Sequence, residues 1–150
     1  MSYDSTDDTL AHIKRVQELL EQVIVHLETR GTQHDQSKLE EPEKSVFDRV
    51  TPKLKQLTYG SPEYKASLDE MGEALQHHYA HNSHHPQHYE NGFNGMSLLD
   101  IIEMFADWKA AGERHADGSL EKSLEINKTR FGLSEQLWRI LDNTRKELGW

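Results

Sequence analysis

The chain has 150 residues, a formal net charge of −9 with its histidines neutral, 35% hydrophobic residues and no cysteine. That length suits one domain able to bury roughly 70% of its unfolded surface. The acidic balance disfavours a nucleic-acid polymer, which is held by a basic footprint, and the missing thiols remove disulfides, zinc fingers and cysteine nucleophiles together.

Residues 1–8 are polar and acidic and are expected to be disordered, with a single domain over 9–150. A first helix is predicted from about Thr9 to Thr29, where Leu10, Ile13, Val16, Leu19, Leu20, Val23 and Leu27 keep the 3-4 spacing of a buried stripe. Arg30-Gly31 reads as its stop, and a short segment from Gln33 to about Leu39 carries the doublet His34-Asp35. A third helix is predicted over about 42–58, kinked at Pro52, and a fourth from Pro62 to His81, capped by Ser61 with Pro at its first position. Residues 82–96, with Pro86, Asn91-Gly92 and Asn94-Gly95, read as a loop. Ser97 then caps a nearly continuous apolar helix that should be central, and its acids Asp100, Glu103 and Asp107 share one face. Two further helices are predicted, about 119–131 and 134–148. No β-strand pattern and no repeat is visible. The fold class is therefore an all-α bundle of six or seven helices.

Six of the ten histidines fall between His77 and His88. Neutral imidazole is the commonest protein ligand for Zn, Fe, Mn, Co and Ni, and carboxylates complete the sphere of the harder ions. Adjacent residues on a helix point about 100° apart, so His34 and Asp35 can share an ion only at a helix end or a bent turn. One ion held by His12, His34, Asp35 and Asp107 would pin four distant segments together. Asp107 is a strong candidate because an unpaired carboxylate on an apolar helix is costly. A second ion could take Asp35 as a bridge and use His78, His84 and His85. Pro86 forces His85 out of helical geometry, which lets the adjacent imidazoles face one ion. His81 and His88 are expected outside the ligand set, and His26 and His115 are read as structural. Asp100 and Glu103 are weighed as a capping charge and an ion-pair partner, with ligation by Asp100 the alternative.

His12, then His34-Asp35-Gln36-Ser37-Lys38, then Ala106-Asp107-Trp108-Lys109 resembles the H…HD…D pattern of the HD-domain superfamily of metal-dependent phosphohydrolases. His84-His85 is similar to the two-histidine element of its binuclear members. The resemblance covers about residues 9–112 and extends to uncharacterised phage and bacterial proteins of that superfamily. It implies an all-α domain with one or two divalent ions (Mn, Fe, Co, Mg, Ni or Zn) and hydrolysis of a small phosphorylated substrate, a nucleotide first of all. Asp35 and Lys38 would then serve the chemistry, and Lys38, Lys109 and Arg130 would meet the phosphate. Two alternatives stand beside it: a di-iron oxygenase on the same scaffold, and a non-catalytic metal-binding regulator. No apolar run approaches the ~20 residues that span a bilayer, so no membrane partner is expected, and the location expected is cytoplasmic, in a host cell if the chain is phage-encoded. A homo-oligomer is compatible with all three readings.

Overall fold

A computed structural model describes residues 3–150 of the chain; Met1 and Ser2, the first two residues of the expected disordered segment, lie outside the described residues. Seven α-helices and three short 3-10 turns make up the described residues, with no strand among them. The all-α class follows. The helices are α1 (Thr6–Gln33), α2 (Lys44–Leu54), α3 (Pro62–Asp69), α4 (Gly72–His81), α5 (Leu98–Gly112), α6 (Leu120–Phe131) and α7 (Glu135–Leu148). The chain divides into two compact units, 1–34 and 35–150, where the sequence suggested one domain over 9–150.

The first unit is α1. It starts at Thr6, inside the segment expected to be disordered, and it runs through Gly31 to Gln33. A glycine inside a helix costs only about 1 kcal/mol against alanine, and the helix goes on two residues past it. The second departure is larger. The stripe expected to be buried is not: Leu20 is 57% exposed, Val16 40%, and no residue of α1 is buried.

The second unit holds the core. Met104, Phe105 and Trp108 of α5, Leu120 and Leu124 of α6, Leu133, and Leu141 of α7 form one buried cluster, rimmed by Phe93, Met96, Phe131 and Trp138. Trp108 and Phe131 stack with parallel rings 6.2 Å apart. Each of these helices begins at a serine whose side-chain oxygen accepts a backbone N–H: Ser97 from Asp100, Ser119 from Lys122, Ser134 from Leu137. Gly132 and Gly149, both left-handed, end α6 and α7.

The helix predicted over 62–81 is two helices. Gly72 has φ +47°, a left-handed conformation that an α-helix cannot continue through, so α3 ends at Asp69 and α4 restarts at Gly72. The break re-aims the segment that carries His77 and His78. Val50 of α2, Met71 just before α4 and Ala74 within it are buried. Pro52 lies inside α2, which ends at Leu54, earlier than the predicted 58.

Leu124 is 1% exposed within the α5–α6–α7 cluster. Leu124→Ala is expected to cost about 2–5 kcal/mol, because the cavity it leaves is ringed by side chains from three helices that cannot collapse together. Thermal unfolding followed by circular dichroism checks this; a loss under 1 kcal/mol would mean that the cluster is not close-packed.

Candidate metal centre

The site begins where α1 ends. His34 is the residue after α1, with φ −50° and ψ 125°, and closes the first unit. Asp35 opens the second with φ 57° and ψ 16°, and is the single non-glycine residue with positive φ among the described residues. Aspartate tolerates this left-handed conformation better than most side chains, yet glycine would hold it without strain. An aspartate here points to a task for its carboxylate. The 3-10 turn Gln36–Leu39 follows, and it brings the Lys38 ammonium onto Asp35 Oδ2 and 4.9 Å above the Phe47 ring. Asp35 Oδ1 faces elsewhere: it lies 3.3 Å from His78 Nε2 and 3.5 Å from His84 Nε2.

His78 projects from the last turn of α4 and is 2% exposed. Its Nδ1 sits 2.9 Å from Glu43 Oε2, and Phe47 packs edge-on against the ring at 5.6 Å. Glu43, which stands just before α2, is fully buried and also accepts from Ser37 Oγ at 3.0 Å and from His77 Nδ1 at 2.7 Å. Burial pushes the Glu43 carboxyl up, but the hydrogen bonds from His77, Ser37 and His78 outweigh it and hold the group below the ordinary glutamate value. Glu43 is thus a carboxylate, and a carboxylate on Nδ1 fixes that nitrogen as the protonated one. The Nε2 atom of His78 faces Asp35.

The second imidazole repeats the device. His84 lies past α4, buried, with Nδ1 3.0 Å from Glu103 of α5 and Nε2 toward Asp35. His85 is extended (φ −98°, ψ 129°) ahead of Pro86, and its Nε2 is 2.9 Å from His78 Nε2. Its pKa is pushed down to about 3, first by burial and then by the neighbouring His84 and His78, so it is neutral near pH 7. Asp107 counters this as an anion facing His85, and one of its oxygens lies within 4.8 Å of a ring nitrogen of His84.

One ligand atom from each of Asp35, His78, His84 and His85 lies within 4.8 Å of the other three. Metal–ligand bonds near 2.1 Å put neighbouring donors about 3.0 Å apart in an octahedron and about 3.4 Å apart in a tetrahedron. The separations of 2.9, 3.3 and 3.5 Å are edges of that size. Three imidazoles and one carboxylate suit a borderline divalent ion such as Zn, Fe, Mn, Co or Ni. Two of the imidazoles carry carboxylates on their outer nitrogen, the arrangement that raises ligand basicity and fixes ring orientation in metal proteins.

The second unit therefore gathers five of the seven expected ligands: Asp35, His78, His84, His85 and Asp107. His34 directly precedes Asp35. His12 is a correction. It lies exposed in the second turn of α1, 22 residues before His34, and an unbroken helix rising 1.5 Å per residue puts those two about 33 Å apart. It cannot share an ion with the doublet. The expected phosphate-binding cations also divide. Lys38 is engaged by Asp35, Lys109 pairs with Glu113 at 2.7 Å, and Arg130 is exposed, its guanidinium 4.7 Å from the centre of the Phe131 ring and its charge acting on Tyr79, whose ring is 5.0 Å from His85. His81 and His88 turn to the carbonyls of His77 and Tyr79. Asp100 serves structure: burial pushes its carboxyl up, but the Ser97 N–H and the hydroxyls of Ser83 and Tyr89 outweigh it and hold it well below the usual range. Sequence reasoning missed Glu43 altogether and left Glu103 as a generic ion-pair partner; a lone acid before a helix carries no signal of the imidazoles it will meet.

Glu43→Gln is expected to weaken metal affinity about 10–100-fold, because an amide can donate to Nδ1 and release the wrong tautomer toward the site. Titration against a chromogenic chelator measures it, and an unchanged affinity would show that Glu43 does not set the tautomer. A second expectation concerns acid. His85 titrates near 6.5 when unfolded and about 3 when folded, so the unfolded chain binds more protons between those values. Stability of the metal-free protein should be complete above pH 6.5 and fall as pH drops toward 3, and His85→Gln should flatten that slope. Urea midpoints across this range decide it.

No curated protein and no solved structure matches the chain. A family model matches residues 1–149, which takes in both compact units and every residue of the histidine–carboxylate cluster. The chain belongs to a family of unknown function (DUF5662).

Proposed function

We propose that the cluster binds a divalent metal ion and that the protein is a metal-dependent phosphohydrolase acting on a small phosphorylated substrate, a nucleotide being the first to test. The observation that carries this reading is the convergence of Asp35 Oδ1 with the Nε2 atoms of His78, His84 and His85, two of them backed by Glu43 and Glu103. A divalent ion so held supplies Lewis acidity and a bound water acidic enough to ionise near neutral pH. Asp35 and the three imidazoles hold and orient; four protein ligands leave further positions of an octahedral ion to water or substrate. Lys38 pairs with Asp35 Oδ2 and aims it rather than meeting phosphate itself. Arg130 supports the phosphate reading: it is exposed, and its positive charge acts on Tyr79, whose ring lies 5.0 Å from that of His85. Guanidinium geometry matches phosphate through paired N–H donors.

The test is metal content of protein purified without a histidine tag, followed by a nucleotide phosphatase screen with Mn, Co, Mg and Fe, in air and under anaerobic conditions. Phosphate release independent of oxygen is expected. Asp35→Asn should abolish both bound metal and release, His88→Ala should affect neither, and Arg130→Ala should raise KM with metal content unchanged. Oxygen-dependent product formation would replace this reading with a di-iron oxygenase, and stoichiometric metal without turnover on any phosphate ester would replace it with a metal-binding regulator.

A further inference from the structure

The apolar stripe of α1 has a regular order that its exposure makes conspicuous. Ile13, Val16, Leu20, Val23 and Leu27 follow one another at intervals of 3, 4, 3 and 4, the heptad spacing that keeps a seam facing a second helix in a left-handed supercoil. Leu10, Leu19 and Ile24 widen the seam on its two flanks, and every one of these eight except Leu27 is among the exposed large hydrophobics. The seven exposed ones are each 40–57% exposed. Pairing two such faces takes one continuous apolar stripe out of water on both copies, the patch a specific interface buries at its centre. A soluble chain rarely leaves so long an apolar stripe without an occupant.

We infer that the occupant is the α1 helix of a second copy of this chain, packed antiparallel about a two-fold axis. Charge chooses the direction. Arg30 continues the seam beyond Leu27, so parallel helices would set the two Arg30 guanidiniums against each other. The antiparallel register that stacks Val16 on Leu20 of the second copy, and Ile13 on its Val23, instead places Arg30 beside Thr6 and Asp7 at the acidic start of the partner helix. The same register sets Leu10 beside Ile24 of the second copy, and Leu19 beside Leu19 of the second copy at the axis. No acidic side chain enters the seam. The charged residues of the middle of the helix, Lys14, Arg15, Glu18 and Glu21, stay outside it; Arg15 and Glu18 already pair with each other at 2.9 Å. Such an interface is isologous, the same patch used twice, and it closes at two copies.

The absence of cysteine makes the register directly readable. In the full-length protein, light scattering after size exclusion should give twice the chain mass at about 10–50 μM. Leu20→Glu should give the monomer mass, while Gln22→Glu, one residue outside the seam, should leave the dimer intact. Retention of metal binding by Leu20→Glu and a helical circular dichroism spectrum show that the variant is folded. Leu19→Cys should form a disulfide-linked dimer under mild oxidation, and Arg30→Cys should not. A monomeric wild type overturns the inference and assigns the stripe to residues 35–150 or to a different protein. Crosslinking through Arg30→Cys in preference to Leu19→Cys overturns the antiparallel arrangement. Because these readouts are mass and crosslinking, they stand whether or not the protein hydrolyses phosphate esters.

Discussion

A carboxylate buried without water is tolerated only when donors surround it, and in this protein that demand falls on Glu43. Its three donors come from separate stretches of chain: Ser37 from the 3-10 turn, His77 and His78 from α4. Satisfying one charge therefore fixes the start of α2, the turn after Asp35 and the end of α4 with respect to each other. Asn82 tightens the same knot, donating to Ser37 Oγ and to the His78 carbonyl, each at 2.8 Å. The imidazole of His78 inherits its orientation from this network. Removing one partner would leave the others buried and unmatched, which is costlier than the net value of any single bond.

The acids of α5 show how one helical face is divided among tasks. Asp100 completes a reciprocal capping box with Ser97 and ties down the loop through Ser83 and Tyr89. One turn on, Glu103 takes the outer nitrogen of His84, and a turn further an Asp107 oxygen lies within 4.8 Å of a His84 ring nitrogen. The first stabilises the helix that the second and third need as a platform. This is why the site sits on rigid elements on two sides although His84 and His85 themselves lie in a loop: the loop is clamped at Asp100, and Pro86 limits what its backbone can do.

Much of this arrangement was legible in the sequence, for physical reasons that also explain the rest. Helices α5, α6 and α7 announce themselves through serine caps and apolar spacing, both local signals, and their starts fall within a residue of the predicted ones. His78, His84, His85, Asp35 and Asp107 stand out because metal-ligating side chains in an apolar or proline-restricted setting have few other uses. Glu43 did not, because its meaning comes from residues 34 and 35 positions away, brought close only when the chain turns at Gly72 and α4 returns to the start of α2. The His12 assignment failed on length: periodicity shows which face of a helix is apolar but does not show that the helix continues through Gly31, and its continuation carries His12 far from the doublet. The apolar stripe of α1 was read as core for the same reason, since amphipathic spacing says that a face must be covered and leaves open by what.

The left-handed backbone at Asp35 constrains which residues can ever stand there. Folding alone is content with glycine, asparagine or aspartate, the three side chains that visit this region at low cost. The proposed metal ligation would add a separate filter, because of those three only aspartate carries an anion. The overlap of the two filters is a single amino acid. Glutamate, the usual conservative exchange for aspartate, fails the first filter although it passes the second, and asparagine does the reverse. A saturation library at position 35 should thus separate into two tolerance profiles, broad across the small polar set when scored for soluble protein and confined to the natural residue when scored for metal. Few positions outside a functional centre would show profiles so different, which makes this joint between α1 and the first 3-10 turn a marker for the site in any chain built to the same plan.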